Sequence, residues 1–349
     1  MSLSTRLVDA WTQLFALCKL QSEESVLILI GDITDPEHHA AARFALARLG
    51  NPMMSVELGA SVAVKVGGDS TAHYGPTALS GNRLAIEAMK RTDLIVDLMG
   101  MYRGSEQEEI LESGARIILV KEPPEIFMRL LPTETDRLRV KRAETRMRAA
   151  RRLDVTSAAG TRFSARFGEY PPLVQYGFAD EPGRWDHAPS AFIARWPDEA
   201  SSNGIVVLDE GDTILPFKDY VRTPIRLTIE NGFVTGIEGG LDARYLRDYI
   251  ASFNDPDGYA VSHLGWGLLD RAHWTMLGMY DKRQTNGMDA RSYAGNFMFS
   301  TGPNAEAGGT RHTPCHLDIP MSGCSVQIDG VPVVIDGQVI ETAPDTVRA

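Results

Sequence analysis

Cysteine is scarce. Cys18, Cys315 and Cys324 are the only three among 349 residues, and no two of them form a CxxC pair. An odd, unpaired set suits a reducing compartment better than a disulfide framework, so a cytoplasmic location is expected. Long apolar runs are missing as well. Stretches such as Val26 to Ile30 fall far short of the roughly 18 residues that a membrane span needs. Residues 1–20 lack the basic-then-apolar form of a secretory signal. A soluble chain with no membrane partner is expected. Nor is positive charge in excess: 35 Lys and Arg stand against 46 Asp and Glu, a formal charge of -11. Such a surface repels phosphate backbones, so no nucleic-acid partner is expected.

Glycine-rich phosphate loops are also absent. After the first apolar run stands Gly31-Asp32-Ile33-Thr34, with neither GxGxxG nor a Walker loop, which removes a dinucleotide site. What is present is ordinary globular material, 43% apolar, enough for one large domain or two. In the first 125 residues the short apolar runs Val26 to Ile30, Leu94 to Leu98 and Arg116 to Val120 alternate with helical patterns, the signature of buried parallel strands. Asp35 and Pro36 start one helix that should stop at Gly50, and Ser105 to Glu108 starts another that should stop at Gly114. A doubly wound α/β domain is predicted for residues 1–153. It ends in a connecting helix with the eight basic residues Arg137, Arg139, Lys141, Arg142, Arg146, Arg148, Arg151 and Arg152, read as a solvated face. From 154 to 349 the pattern turns β-rich. Asn231-Gly232, Asp329-Gly330 and Asp336-Gly337 mark hairpins, and a helix is predicted from Asp242 to about Phe253. The second domain is therefore a mixed α+β, largely antiparallel unit.

Candidate chemistry gathers late in the chain. In Thr313 to Pro320, His316 and Asp318 lie two apart, and in extended backbone such residues share a face. They can grip one metal ion or simply hydrogen-bond each other. Cys315, of opposite parity, should point away and be buried. A metal requires a third ligand, and His263, among the glycines of Ser262 to Leu268, is the best candidate, with a core histidine as the rival account. Two imidazoles and one carboxylate describe the facial triad of non-haem Fe(II), with zinc as a competing metal. His187, at the end of the dense segment from Asp180, has the side chain suited to proton transfer. Ser300, on a glycine-rich frame, can hydrogen-bond a ligand. Both segments also read as tight turns. His38 and His39, early in an exposed helix, and His73, in a polar loop, are expected to take no catalytic part.

Five strings carry a resemblance: DEPGRWDH at 180–187, YLRDY with FNDP at 245–256, SHLGWGL at 262–268, GNFMFSTGPN at 295–304 and TPCHLDIP at 313–320. Together they resemble the 2,5-dihydroxypyridine 5,6-dioxygenase family, which sits in the aminopeptidase T-like superfamily. The resemblance implies Fe(II), Fe(2+), held by His263, His316 and Asp318, with His187 and Ser300 lining the pocket. It implies a small N-heteroaromatic substrate and O2 as partners in ring cleavage during pyridine and nicotinate catabolism. A homo-oligomer is also expected. Aminopeptidase T-like peptidases, the alternative reading, carry Glu where this chain has His263, and they need a second metal site, for which Glu306 is the nearest acid. A non-catalytic ligand-binding protein would be favoured had a ligand been lost. Two positions depart from the family pattern: Arg103 replaces a His and Gln175 a Glu. Arg103 offers a fork suited to a carboxylate, so the resemblance leaves a hydroxypicolinate open as substrate.

Overall fold

The apolar runs become strands because each is buried on both faces, as the computed structural model shows for residues 4–59, 77–101 and 105–340. Val26–Ile30, Leu94–Asp97 and Arg116–Val120 pair in parallel, with Met53–Glu57 at one edge and Trp185–Ala188 at the other. Leu27, Leu29, Ile95, Ile117 and Leu119 are solvent-free, packed with Ile86, Ile110 and Trp185. Each such side chain contributes about 1.5–3 kcal/mol over an exposed one. The Pro36–Leu49 helix starts where expected, as Asp35 Oδ1 accepts from the backbone N–H of Glu37 and His38. It stops at Gly50, whose φ of 84° suits glycine. Ser105–Glu112 is the second predicted helix. The compact unit built on this sheet comprises residues 1–141, 175–191 and 271–289.

His38 differs from expectation. It is buried, its Nδ1 accepting from the Trp11 indole at 3.2 Å and its Nε2 facing the Glu122 carbonyl at 2.9 Å. The helix turns this residue inward because Trp11 and Phe127 pack edge to face against the ring. Burial lowers its pKa and keeps it neutral. His73 and Arg103 lie outside the described residues.

The second unit holds residues 142–174, 192–270 and 290–349. Its larger sheet has eight strands, with successive neighbours antiparallel from Phe233–Gly239 through Arg152–Ser157 to Gln338–Val339. The three predicted hairpins are present. Asn231 and Gly232 have φ of 50° and 82°, Asp329 and Gly330 50° and 79°, Asp336 and Gly337 46° and 76°. Two left-handed residues in succession make the turn that matches strand twist. Leu241–Ser252 is the predicted helix. The basic helix is Glu134–Ala149, within which the chain passes from one unit to the other. Its exposed pairs, such as Arg137 with Glu134, add little stability. Among the described residues no helix is long and apolar enough to cross a membrane.

Candidate metal centre

A smaller sheet of the second unit places the candidate ligands. Leu264–Gly267, Phe297–Thr301 and Leu317–Met321 are antiparallel neighbours. His263 immediately precedes the first strand, Ser300 lies in the second opposite Asp318 of the third, and His316 stands two residues before Asp318. The ladder continues past the first strand, with Ser262 N–H donating to Ser300 O at 2.9 Å and the Ser300 hydroxyl to His263 O at 2.6 Å. Residues 53 and 55 positions apart in sequence are thereby side by side.

His263, His316 and Asp318 are all buried and converge, their ligand atoms within 4.8 Å of one another. Both Nε2 atoms lie 3.2 Å from Asp318 Oδ1. Neighbouring donors around one ion with bonds of about 2.1 Å stand roughly 3 Å apart, so the spacing fits a single metal ion. The Asp318 Oδ1 atom itself is buried and has no hydrogen-bond donor of acceptable geometry. A carboxylate oxygen left in that state is costly unless a cation shares it. Burial would raise the Asp318 pKa, but the neighbouring His316, the Arg291 guanidinium and the His263 contact hold it well below the usual carboxylate range. The carboxylate stays anionic.

Each ligand has its own support. His316 Nδ1 lies 2.9 Å from the Thr301 carbonyl, which places the ring proton on Nδ1 and turns the Nε2 lone pair toward the cluster. Asp318 Oδ2 accepts from Arg291 Nε at 2.8 Å. His263 Nδ1 makes no hydrogen bond. Its ring is instead held by Trp196, edge to face at 5.4 Å, whose indole N–H reaches Ser262 Oγ and the Pro303 carbonyl. Arg291, Thr301 and Trp196 were not legible as site residues, since each acts through a contact with a residue well separated from it in sequence.

Gly265 explains one part of the SHLGWGL string. A Cβ there would sit 1.9 Å from the Ile193 carbonyl of the next strand, Phe192–Arg195. Only glycine lets the two backbones pair. We expect Gly265→Ala to destabilise the protein by about 2–3 kcal/mol, the cost of overpacking against an immobile backbone. Thermal unfolding should show it as a fall of several degrees, and an unchanged midpoint would refute the close approach.

Of the remaining candidates, His187 and Gln175 belong to the first unit and Glu306 to the second. His187 is buried in the Trp185–Ala188 strand, its N–H donating to Asp186 Oδ1 at 2.7 Å. Asp186 also accepts from the N–H of Tyr176 and Gly177 and from Arg184, so the DEPGRWDH segment is rigidly tied. Gln175 Oε1 accepts from the Ser190 hydroxyl at 3.1 Å. Glu306 lies in the short 3-10 turn Ala305–Ala307, outside the one group of three or more metal-ligating side chains that converges among the described residues.

The fold and this cluster define a class, the α/β proteins of the aminopeptidase T fold with side chains able to hold a metal ion. Wild-type AmpT from Thermus thermophilus superposes with a TM-score of 0.56 at 13% identity, over 97% of this chain and 100% of that one. That likeness is one of fold. A sequence model of the NicX family, 2,5-dihydroxypyridine 5,6-dioxygenase, matches residues 6–341. The curated 2,5-dihydroxypyridine 5,6-dioxygenase of Pseudomonas putida (strain KT2440) is 49% identical over 347 residues, 99% of each chain. The solved structure of the dioxygenase from Pseudomonas putida KT2440 superposes with a TM-score of 0.94 over 97% of each. This chain belongs to the 2,5-dihydroxypyridine 5,6-dioxygenase family.

Proposed function

We propose that the protein is an Fe(II)-dependent dioxygenase that opens the ring of a hydroxylated pyridine. The observation that supports this most is the convergence of two imidazoles on the unsatisfied Asp318 Oδ1, in a chain half identical to a named dioxygenase. His263, His316 and Asp318 would hold the ion, leaving positions free. Iron there would supply the passage of electron density between an electron-rich ring and dioxygen. With 2,5-dihydroxypyridine, the ring bond beside the nitrogen breaks and both oxygen atoms enter the product, N-formylmaleamate.

The chain's own groups then have separate tasks. Burial of the triad keeps water away, and Arg291 and Thr301 fix two of its three ligands. His187 is the proton-transfer group in this reading, and the tie to Asp186 holds its backbone still. Ser300 has its hydroxyl proton on His263 O, so it offers a lone pair to a ligand while holding two strands together. The aminopeptidase reading would need a second group of carboxylates, and no second group converges among the described residues.

Arg103 sets the substrate question. In the sequence it comes after the Leu94–Asp97 strand, and open α/β sheets gather ligand contacts in the loops that follow the carboxyl ends of their strands. The experiment is anaerobic Fe(II) reconstitution followed by oxygen uptake on hydroxypyridines and hydroxypicolinates, with wild type and Arg103→Gln. If Arg103 clamps a carboxylate, its loss raises KM for the picolinates by about ten- to a hundredfold, a charge-assisted bond of about 1.5–3 kcal/mol. Simple 2,5-dihydroxypyridine is then little affected. Equal small effects on both classes would mark Arg103 as a surface residue, and no oxygen uptake with any ring would end the dioxygenase reading.

A further inference from the structure

Arg291 is a charged side chain that hydrogen-bonds a candidate ligand and that no motif pointed to. It lies in the short helix Met288–Ser292, with 5% of its side chain exposed, and its Nε donates to Asp318 Oδ2 at 2.8 Å. Its backbone is pinned as well. Asn296 Nδ2 donates to the carbonyls of Ala290 and Arg291, and Asn296 Oδ1 accepts from Gly267 N–H at the end of the strand that begins beside His263. A Cβ at Gly267 would fall 2.2 Å from the Tyr293 carbonyl and 2.7 Å from Asn296 Nδ2, so glycine is what admits the brace.

We propose that Arg291 is a positioning residue of the metal centre: by occupying Oδ2 it presents Asp318 to the ion through Oδ1 alone. A carboxylate has two oxygens and binds metals through one or both. Here the two are sorted by their surroundings. Oδ2 accepts from a guanidinium nitrogen, while Oδ1 lies 3.2 Å from each of the two imidazole Nε2 atoms and makes no hydrogen bond. Single-oxygen binding keeps one more coordination position open for reactants than two-oxygen binding would. Partners of this outer kind change metal affinity by about 10- to 100-fold when lost. A lysine keeps the charge but has no nitrogen where Nε stands, so it separates charge from geometry.

The inference rests on the metal-centre reading and is independent of which ring is opened. The test titrates metal-free wild type, Arg291→Lys and Arg291→Gln with Fe(II) and with Co(II), and records the Co(II) absorption spectrum of each. Both variants should bind metal about 10- to 100-fold more weakly, with a changed Co(II) spectrum. The crystal structure of metal-loaded wild type should show Oδ1 on the metal and Oδ2 on Arg291. Wild-type affinity and spectrum in Arg291→Lys would overturn the proposal. So would a wild-type structure with both oxygens on the metal, which decides the matter even if neither variant folds. Failure of wild type itself to bind metal would sink the metal centre, a separate result.

Discussion

His263→Ala, His316→Ala and Asp318→Asn are each expected to abolish turnover and bring iron content down to the level of the metal-free protein, while the circular dichroism spectrum stays that of the folded chain. The three side chains make a set with no spare, since no other His, Cys, Asp or Glu joins them among the described residues. Removal of any one leaves two ligands for an ion that binds through three. Asparagine is the informative change at 318 because its side chain still accepts from Arg291. Alanine there would strand a buried guanidinium, and breaking a buried pair costs about 3–5 kcal/mol, so a loss of function could be confused with a loss of fold. Iron content by elemental analysis and oxygen uptake decide the matter. Normal occupancy and turnover in any of the three variants would take that residue out of the site.

The second large effect concerns the metal. Reconstitution with Fe(II) is expected to give ring opening, and reconstitution with Zn(II) none, although zinc should bind the same donors. Zinc has no accessible second oxidation state, so it polarises a bond but passes no electron to dioxygen. Peptide hydrolysis has the opposite requirement, being served by a Lewis acid alone. Oxygen-electrode traces and a dipeptide panel therefore separate the two chemistries in one preparation. Zinc-supported release of amino acids, with no oxygen uptake on any hydroxypyridine, would move the protein to the peptidase side.

Much of the fold was legible because it is written locally. The Asn-Gly and Asp-Gly turns need only two adjacent left-handed residues, and Asp35 with Gly50 brackets a helix by its own hydrogen bonds and φ. The pairing of His316 with Asp318 was legible for the same reason, being a matter of strand parity. His263 could be nominated from its glycines, and the Cβ clash at Gly265 gives the physical reason for one of them. What escaped was non-local. Trp185–Ala188 has four residues and no apolar period, so nothing marked it as the fifth parallel strand. The inward turn of His38 depends on Trp11, 27 residues away, and the Arg291 contact spans another 27.

That fifth strand bears on how such a protein can be inherited in parts. Beyond residue 141 the first unit takes two further stretches, 175–191 and 271–289, from later in the chain. One supplies the edge strand. The other supplies the Thr285 hydroxyl and the N–H groups of Asn286 and Met288, which together satisfy the solvent-free carboxylate of Glu122. A gene fragment cut after the basic helix would encode a sheet without its border and a buried acid without its donors. Recombination that exchanges a contiguous front half between relatives would therefore meet mismatched later stretches, and descent should favour variation by point substitution within the whole reading frame over the trading of halves.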